Sequence, residues 1–303
     1  MSKLGKIKKI FNIPLVATHL CMHWPFNKVS DERFLKYSFR AYQGRKLDLE
    51  NPKSFNEKLQ WLKIHDRKDE YTTLTDKYLV REYIKEKIGE KYLIPLLGVW
   101  DNAKDIDFDS LPDEFVLKCN HDSGSVVICK DKKTFDKEKA IKKLNKALKT
   151  QYFKYSREWN YKNIERKIVA ERLMKNNDGE QELTDYKYFC FDGEPKFIQV
   201  DTGRFTDHVR NFYDPDWNFI DVRFGCKNDS SIIVPEPKQH KEMLELARKL
   251  SQGKAHVRVD FYISNEKILF GELTFHHGGG YLRVEPYEYD LKWGEYLKLP
   301  EVK

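Results

Sequence analysis

Three features of the sequence predict an α+β fold with much antiparallel sheet in its second half. Apolar residues recur at helical spacing through roughly the first 90 positions. Short alternating runs bounded by turn residues take over from Glu114 onward. Between two of these runs stands Asp192-Gly193, the best short-range hairpin signal in the chain.

Composition sets the outer limits. The chain has 303 residues, 40% hydrophobic and 14% aromatic, enough for one large or two modest folded domains. Its 55 basic and 48 acidic residues are interleaved and leave a net charge of +7. That surplus suits anionic small molecules, a polyanionic glycan or an anionic membrane surface. There is no arginine-rich arm or zinc-finger spacing, which argues against nucleic acid as a partner. The five cysteines, Cys21, Cys119, Cys129, Cys190 and Cys226, form no Cys-x-x-Cys pair. Reduced thiols in a cytoplasmic protein are the simplest account. No apolar run reaches the ~20 residues of a membrane span.

The elements follow in order. Residues 1–9 are basic and 10–26 fairly apolar, but no small-x-small site follows, and His19, His23 and Pro25 interrupt the run. Leu4, Ile7, Ile10 and Phe11 fall at helical spacing among lysines, which suits a packing helix or a peripheral amphipathic anchor. Ser30-Asp-Glu-Arg33 starts a helix. Ser54 caps the next one, with Glu57 three residues on as in a capping box. Phe55, Leu59, Leu62 and Ile64 form its buried side, with Trp61 flanking. A further helix is expected from about Thr75 to Lys87, closed by Gly89. Tyr92 to Trp100 reads as a strand region interrupted by Pro95.

Strands then dominate. Glu114–Cys119 and Val126–Cys129 flank the polar loop Asn120-His-Asp-Ser-Gly-Ser125. A lysine-rich helix follows from about Lys137 to Lys149, its charges a solvated face. Ile168–Met174 is a strand ending near the turn Asn176-Asn-Asp-Gly179. Thr184–Phe191 and Pro195–Val200 are the arms of the Asp192-Gly193 hairpin. A helix from Pro237 to Gln252 ends at Gly253. Last comes a second hairpin, in which Val257, Val259 and Phe261 alternate with Arg258, Asp260 and Tyr262. Ser264–Lys267 turn the chain, and Ile268, Phe270 and Glu272–Phe275 run back.

The chemistry gathers on that second hairpin. Pairing its arms puts Asp260 and Glu272 side by side, next to Arg258. Two adjacent carboxylates repel unless something positive lies between them. Mg²⁺ with nucleotide phosphate is the usual answer, because this ion takes one or two protein carboxylates plus phosphate oxygens. A solvated surface hairpin is the alternative. Lys118 lies within an apolar strand and calls for a negative partner, unless it faces solvent. The loop after it, with Ser123, Gly124 and Ser125, can offer backbone N–H groups to anionic oxygens. The stretch Glu171-Arg172-Leu173-Met174 can offer a backbone edge to an adenine ring with Leu173 or Met174 over one face; an ordinary core strand is the alternative.

The order of these pieces resembles the ATP-grasp superfamily over roughly residues 70 to 285. Within it the chain is most similar to the TupA-like branch, found in teichuronopeptide and capsular polysaccharide loci. The motifs carrying this resemblance are Ser54-Phe-Asn-Glu-Lys-Leu-Gln-Trp-Leu62, Asp76-Lys-Tyr-Leu-Val-Arg81, Phe115-Val-Leu-Lys-Cys-Asn-His-Asp-Ser-Gly-Ser125, Arg258-Val-Asp-Phe-Tyr262, Gly271-Glu-Leu-Thr-Phe275 and Lys292-Trp-Gly294.

The resemblance implies an ATP-grasp fold: a helical region over 1–65, a small subdomain with its preceding segment over 66–175, and a large subdomain with the metal site over 176–303. It implies ATP and Mg²⁺ as cofactors, and joining of a carboxylate to an amine through an acyl phosphate. Lys77, Lys118 and the Ser123–Ser125 loop would hold phosphates. Glu171 to Met174 would hold adenine, and Lys187 would reach the α-phosphate or adenine N7. Asp260, Glu272 and Thr274 would hold the metal, and Arg258 the acyl phosphate. Thr274, a weaker ligand, stands where the family has Asn. His276, His277, Gly279 and Arg283 are substrate candidates. The branch implies a glycan or sugar-linked carboxylate, such as a uronic acid, in a cytoplasmic protein that is soluble or peripheral to the membrane. Two other classes stay open. A glycosyltransferase would use Asp105-Ile-Asp107 or Asp214-Pro-Asp216, and a non-catalytic scaffold would bind glycan alone.

Overall fold

The structure is a computed structural model describing residues 13–20, 28–175, 183–203 and 207–301. The basic segment 1–9 with Leu4, Ile7, Ile10 and Phe11, and the turn at 176–179, lie outside them. Helix α1 (Ile13–Leu20) leads to α2 (Asp31–Gln43), which Ser30 starts by accepting the Arg33 N–H. Helix α3 (Phe55–His65) carries the full capping box, Ser54 accepting from Glu57 N–H and Glu57 accepting from Ser54 N–H. Such a cap stabilises a helix by about 1 kcal/mol. The helix expected from about Thr75 to Lys87 begins only at Val80, as α5 (Val80–Lys87), and a separate α4 (Asp69–Thr75) precedes it. The Asp76 carboxylate takes the Tyr78 and Leu79 N–H groups at 2.8 and 3.2 Å, which favours a turn over continued helix.

The first sheet contains β1 (Leu96–Trp100), β2 (Phe115–Cys119), β3 (Val127–Cys129) and β4 (Ile168–Arg172). It is antiparallel, in the order β1-β4-β2-β3. Phe115, Leu117 and Cys119 point to one face, where Leu144 of helix α6 (Lys137–Leu148) closes the core. Val116 and Lys118 point to the other face. A short α7 (Phe153–Ser156) follows.

The second sheet contains β5 (Asp185–Phe191), β6 (Glu194–Thr202), β7 (Val209–Tyr213) and β8 (Phe219–Ile220). After β9 (Arg223–Phe224) and α8 (His240–Ser251), the chain returns as β10 (His256–Ser264) and β11 (Lys267–Thr274). The strand order is β11-β10-β5-β6-β7-β8, all antiparallel. β12 (Val284–Glu285) pairs with β9, and α9 (Tyr287–Tyr296) ends the fold. Asp192-Gly193 and Asn265-Glu266 both have positive φ, as two-residue hairpin turns need. The second turn is therefore tighter than the four polar residues suggested, with Ser264 and Lys267 inside the strands.

The two faces of this sheet differ. On one, Tyr186, Tyr188, Val257, Val259 and Phe261 pack against Met243, Ala247 and Leu250 of α8 and apolar residues of α4 and α5. On the other, Phe189, Phe191, Phe197 and Phe212 meet Phe55 and Leu59 of α3 and Trp293 of α9. Trp293 stacks on Phe197 with ring centroids 4.0 Å apart. The helices cover only part of that second face. Beyond Phe189, Phe197 and Phe212 it turns polar, with Asp185, Lys187, Gln199, Asp201 and Arg210. No helix among the described residues is long and apolar enough to cross a membrane.

Candidate active site

A cleft of about 390 Å³ lies between the two sheets. The first-sheet side supplies Lys77, Lys118, Asp122, Ser123 and Val126; the second supplies Asp185, Lys187, Gln199, Asp201, Arg210, Arg258, Asp260, Glu272 and His277. Five cations (Lys77, Lys118, Lys187, Arg210, Arg258) thus face five carboxylates (Asp122, Asp185, Asp201, Asp260, Glu272) along its walls.

Sheet register builds the acidic wall. Arg258 pairs with Thr274 and Val259 with Leu273, after which the register shifts by one residue before Phe261–Phe270. The bulge falls at Gly271. A Cβ there would meet the Tyr262 ring at 2.9 Å and the Asp260 carbonyl at 3.2 Å, so only glycine lets the strand pass. Glu272 thereby stands opposite Asp260. Arg258, two residues before Asp260 on the same face, binds both acids. Its Nε and Nη2 donate to the Asp260 oxygens at 2.6 Å each, and Nη2 donates to Glu272 Oε1 at 3.0 Å.

Burial pushes Asp260 up to about 6, against the pull of Arg258 and Lys187. Burial would raise Glu272 as well, but Lys77, Arg258 and Lys187 outweigh it and hold this carboxyl below its ordinary value. The same acids raise Arg258 in spite of its burial. Arg258 Nη1 donates to His277 Nδ1. Burial and then Arg258 push His277 well below the usual histidine range, so it stays neutral as an acceptor.

Lys187 on β5 sits 2.9 Å from Asp185, 3.2 Å from Asp201 and 4.0 Å from Asp260. Asp201 also accepts from Arg210 at 2.8 Å and from Gln199 at 2.8 Å. Burial acts to raise Asp201, but Arg210 and Lys187 hold it far below the usual carboxylate range. Asp185, Gln199, Asp201 and Arg210 were not foreseen in the sequence.

The opposite wall is organised by Asn120 and Asp122. Asn120 donates to Asp76 at 2.8 Å, fixing the turn at 76–79 against the loop after β2. Lys77 Nζ donates to the Asp122 carbonyl. Burial lowers Lys77, with Lys118 adding to that effect and Glu272 opposing it. Asp76-Lys77 is thus a turn between helices, where the sequence suggested a helix start. Ser125 Oγ donates to Asp122 at 2.6 Å and accepts the Cys119 N–H at 2.7 Å, so it shapes the loop. A Cβ on Gly124 would touch nothing within 4 Å and its φ is not positive, so the fold itself does not demand glycine there. Lys118 pairs with Glu171 at 2.6 Å, and Glu171 stands 3.6 Å from Arg81.

Several expected residues lie elsewhere. Strand β4 is internal, and the Arg172 N–H is bound to the Pro95 carbonyl, so Glu171 and Arg172 offer no free backbone edge. Leu173 and Met174 follow the strand and are half-buried. Thr274 does not line the cleft; its hydroxyl donates to Glu272 at 3.1 Å. His276 is buried 3.8 Å from Glu158. Gly279 belongs to a left-handed glycine turn packed under α3, where Lys63 Nζ and Gln60 Nε2 bind its carbonyl at 2.6 and 3.0 Å. A Cβ on the neighbouring Gly280 would lie 2.3 Å from Gln60, so helix packing explains these glycines. Arg283 is exposed and donates to the Tyr42 carbonyl at the end of α2. Asp105-Ile-Asp107 and Asp214-Pro-Asp216 sit in loops outside the cleft. Asp107 and Asp214 take local backbone N–H groups there.

The donor set fits Mg²⁺ with a polyphosphate. Asp260 and Glu272 offer it carboxylate oxygens, the ligands this ion prefers. With five cations matched by five carboxylates, the walls alone carry little surplus positive charge for a triphosphate. A divalent ion would supply it.

Among curated proteins none matches the chain. Similar solved structures include a D-alanine-D-alanine ligase from Helicobacter pylori, at 15% identity and TM-score 0.44, covering 81% of this chain and 69% of that one. An L-amino acid ligase from Bacillus licheniformis is 11% identical with TM-score 0.45, covering 84% of this chain and 57% of that one. A Bacillus anthracis D-alanine–D-alanine ligase complexed with ATP is 15% identical with TM-score 0.40, covering 67% of this chain and 54% of that one. The chain thus spans little more than half the length of two of these three. A family model described as TupA-like ATPgrasp matches residues 57–298, from the capping box of α3 to just beyond α9, and the chain belongs to that family.

Proposed function

We propose that the protein is an ATP- and Mg²⁺-dependent carboxylate–amine ligase acting on a glycan or sugar-linked carboxylate, such as a uronic acid. The observation carrying this reading is Arg258 bound to both Asp260 and Glu272, across one cleft from Lys77 and Lys118. The substrate carboxylate attacks the γ-phosphorus of ATP, giving an acyl phosphate and ADP. The amine then attacks the acyl carbon and phosphate leaves. The task is to hold charge spread over the transferring phosphoryl group. Lys77, Lys118 and the backbone of Ser123–Ser125 bind phosphates, and Lys187 the α-phosphate. Leu173 and Met174 cover adenine. Arg258 forks onto the acyl phosphate oxygens. Asp260 and Glu272, with Thr274 behind Glu272, would hold Mg²⁺, which neutralises phosphate charge when bound. The glycan part rests on the branch the chain belongs to. The need for ATP places the reaction in the cytoplasm, and the +7 charge favours contact with an anionic membrane surface.

Calorimetry with Mg-ATP tests the reading. Lys118→Ala and Asp260→Ala should each abolish measurable binding; unchanged binding in both overturns the site. ADP and phosphate should appear only when carboxylate and amine are both present. Release of AMP, or turnover of a nucleotide sugar alone, sinks the mechanism.

A further inference from the structure

One nucleophile near the cleft has no part in that reaction. Cys226 is half-buried, whereas Cys119, Cys129 and Cys190 are fully buried. Its Sγ lies 3.6 Å from His208 Nδ1, and His208 Nε2 lies 2.9 Å from Asp201 Oδ1. Asp201 accepts from Arg210 and Gln199 and is held ionised, so the proton of His208 stays on Nε2, facing it. Nδ1 is left as an acceptor for the thiol proton. Nucleophile, base and orienting carboxylate thus stand in the order of an activated thiol. The next two residues, Lys227 and Asn228, line a surface depression of about 420 Å³ together with Arg223, Asp221 and Glu285. Arg223 and Lys227 are paired there with Glu285 at 3.5 Å and Asp229 at 2.7 Å, so the depression offers room for a small molecule without surplus charge.

We propose that Cys226 is a thiol–disulfide exchange site for small-molecule disulfides, and that its adduct weakens nucleotide binding. His208 takes the thiol proton. The sulfur attacks one sulfur of the disulfide, the S–S bond breaks, and the departing thiolate takes the proton from His208. The products are a mixed disulfide on Cys226 and one free thiol, with no other oxidant needed. The consequence follows from Asp201, which is shared between His208 and the cleft residues Lys187 and Arg210. An adduct that displaces His208 disturbs that wall. This second part rests on the ligase reading; the exchange itself does not.

The test uses the full-length protein and 5,5′-dithiobis(2-nitrobenzoic acid), an aromatic disulfide with two carboxylates, with adducts located by peptide mapping. The first adduct should form on Cys226 and be absent in Cys226→Ser. In His208→Gln the rate should fall about tenfold near neutral pH and recover as pH rises, since solvent then removes the thiol proton. A merely structural histidine would not give that recovery. Labelling of Cys226 no faster than the buried cysteines, or an unchanged rate in His208→Gln, overturns the proposal. The adduct should bind Mg-ATP about tenfold more weakly, restored by dithiothreitol. Unchanged affinity overturns the coupling. If the unmodified protein does not bind Mg-ATP, the ligase reading fails while fast exchange at Cys226 still upholds the thiol site.

Discussion

The inner face of the six-stranded sheet has two halves built from the same strands. On β5, β6, β7 and β10, the half under α3 and α9 carries Phe191, Phe189, Phe197, Phe212 and His256, all buried among aromatic rings. From two residues further along each strand, the other half carries Asp185, Lys187, Gln199, Asp201, Arg210 and Asp260, also largely buried. Burial of the aromatic half stabilises the fold by about 25 cal/mol for each Å² taken from water. Burial of the charged half does not, because ion-pair attraction is offset by lost hydration. A sheet that needed only stability would continue the aromatic pattern. Under the proposed function the charged half serves binding, and the two halves should therefore respond in opposite ways to substitution.

The largest expected effect lies in the charged half. On the proposed reading, Glu272→Gln should lower ligase turnover about 10³-fold, roughly 4 kcal/mol in the barrier, by removing one of the two carboxylate charges that would face Mg²⁺. Its melting temperature should barely move, since Arg258 keeps Asp260. A large drop in melting temperature with turnover preserved would erase the distinction between the halves. The reciprocal change is Phe197→Ala. It leaves a cavity beneath Trp293 and should cost about 3–4 kcal/mol in denaturant unfolding. Mg-ATP affinity of the folded fraction should stay as before.

A third variant probes the border. Lys63 in α3 is buried and donates to the carbonyls of Gly279 and Ser156 and to Gln60. Lys63→Met strands these acceptors and should cost about 2 kcal/mol. Burial lowers Lys63 to about 7, so the unfolded chain binds this proton more tightly. The native protein should gain stability as pH rises from about 7 toward the ordinary lysine range, and the variant should lack that gain. Equal pH slopes in the two proteins would contradict this account.

The hairpin of Arg258, Asp260 and Glu272 was legible because strand alternation and a polar turn fix which side chains share a face. Asp185 and Asp201 were missed because an acid on an alternating strand reads the same whether it faces water or a cleft. The Asp192-Gly193 turn did not supply the signal: counting back from it sets Asp185 beside Val200 and Lys187 beside Ile198, and only a register shift between Phe189 and Cys190 brings Asp201 opposite Asp185 and Gln199 opposite Lys187. The glycines after His277 misled in the other direction. They look like a ligand loop, yet Gly280 is glycine because Gln60 of α3, more than 200 positions earlier, lies against it. Nothing near Gly280 in sequence announces that contact. The internal position of β4 was hidden for the same reason, since its partners β1 and β2 come from separate segments.

The smallest effect separates the halves by pH alone. Asp260 is pushed up to about 6 by burial, so the folded state favours its protonated form more than the unfolded chain does. Its contribution to stability is therefore present at low pH and declines as pH rises from the ordinary carboxylate range through about 6. Metal binding has the opposite sign, because only ionised Asp260 offers a charge to Mg²⁺. Mg-ATP affinity should fall about tenfold for each pH unit below 6, some 1.4 kcal/mol, with one proton released on binding. Asp260→Asn should flatten the Asp260 part of the stability curve and, like Asp260→Ala, leave no measurable Mg-ATP binding, whereas Phe197→Ala should lower the stability curve without changing the affinity slope. Calorimetry and denaturant titration between pH 5 and about 7.5 would read both. If affinity and stability changed together with pH, Asp260 would be a structural carboxylate, and the charged half would have to be counted with the core.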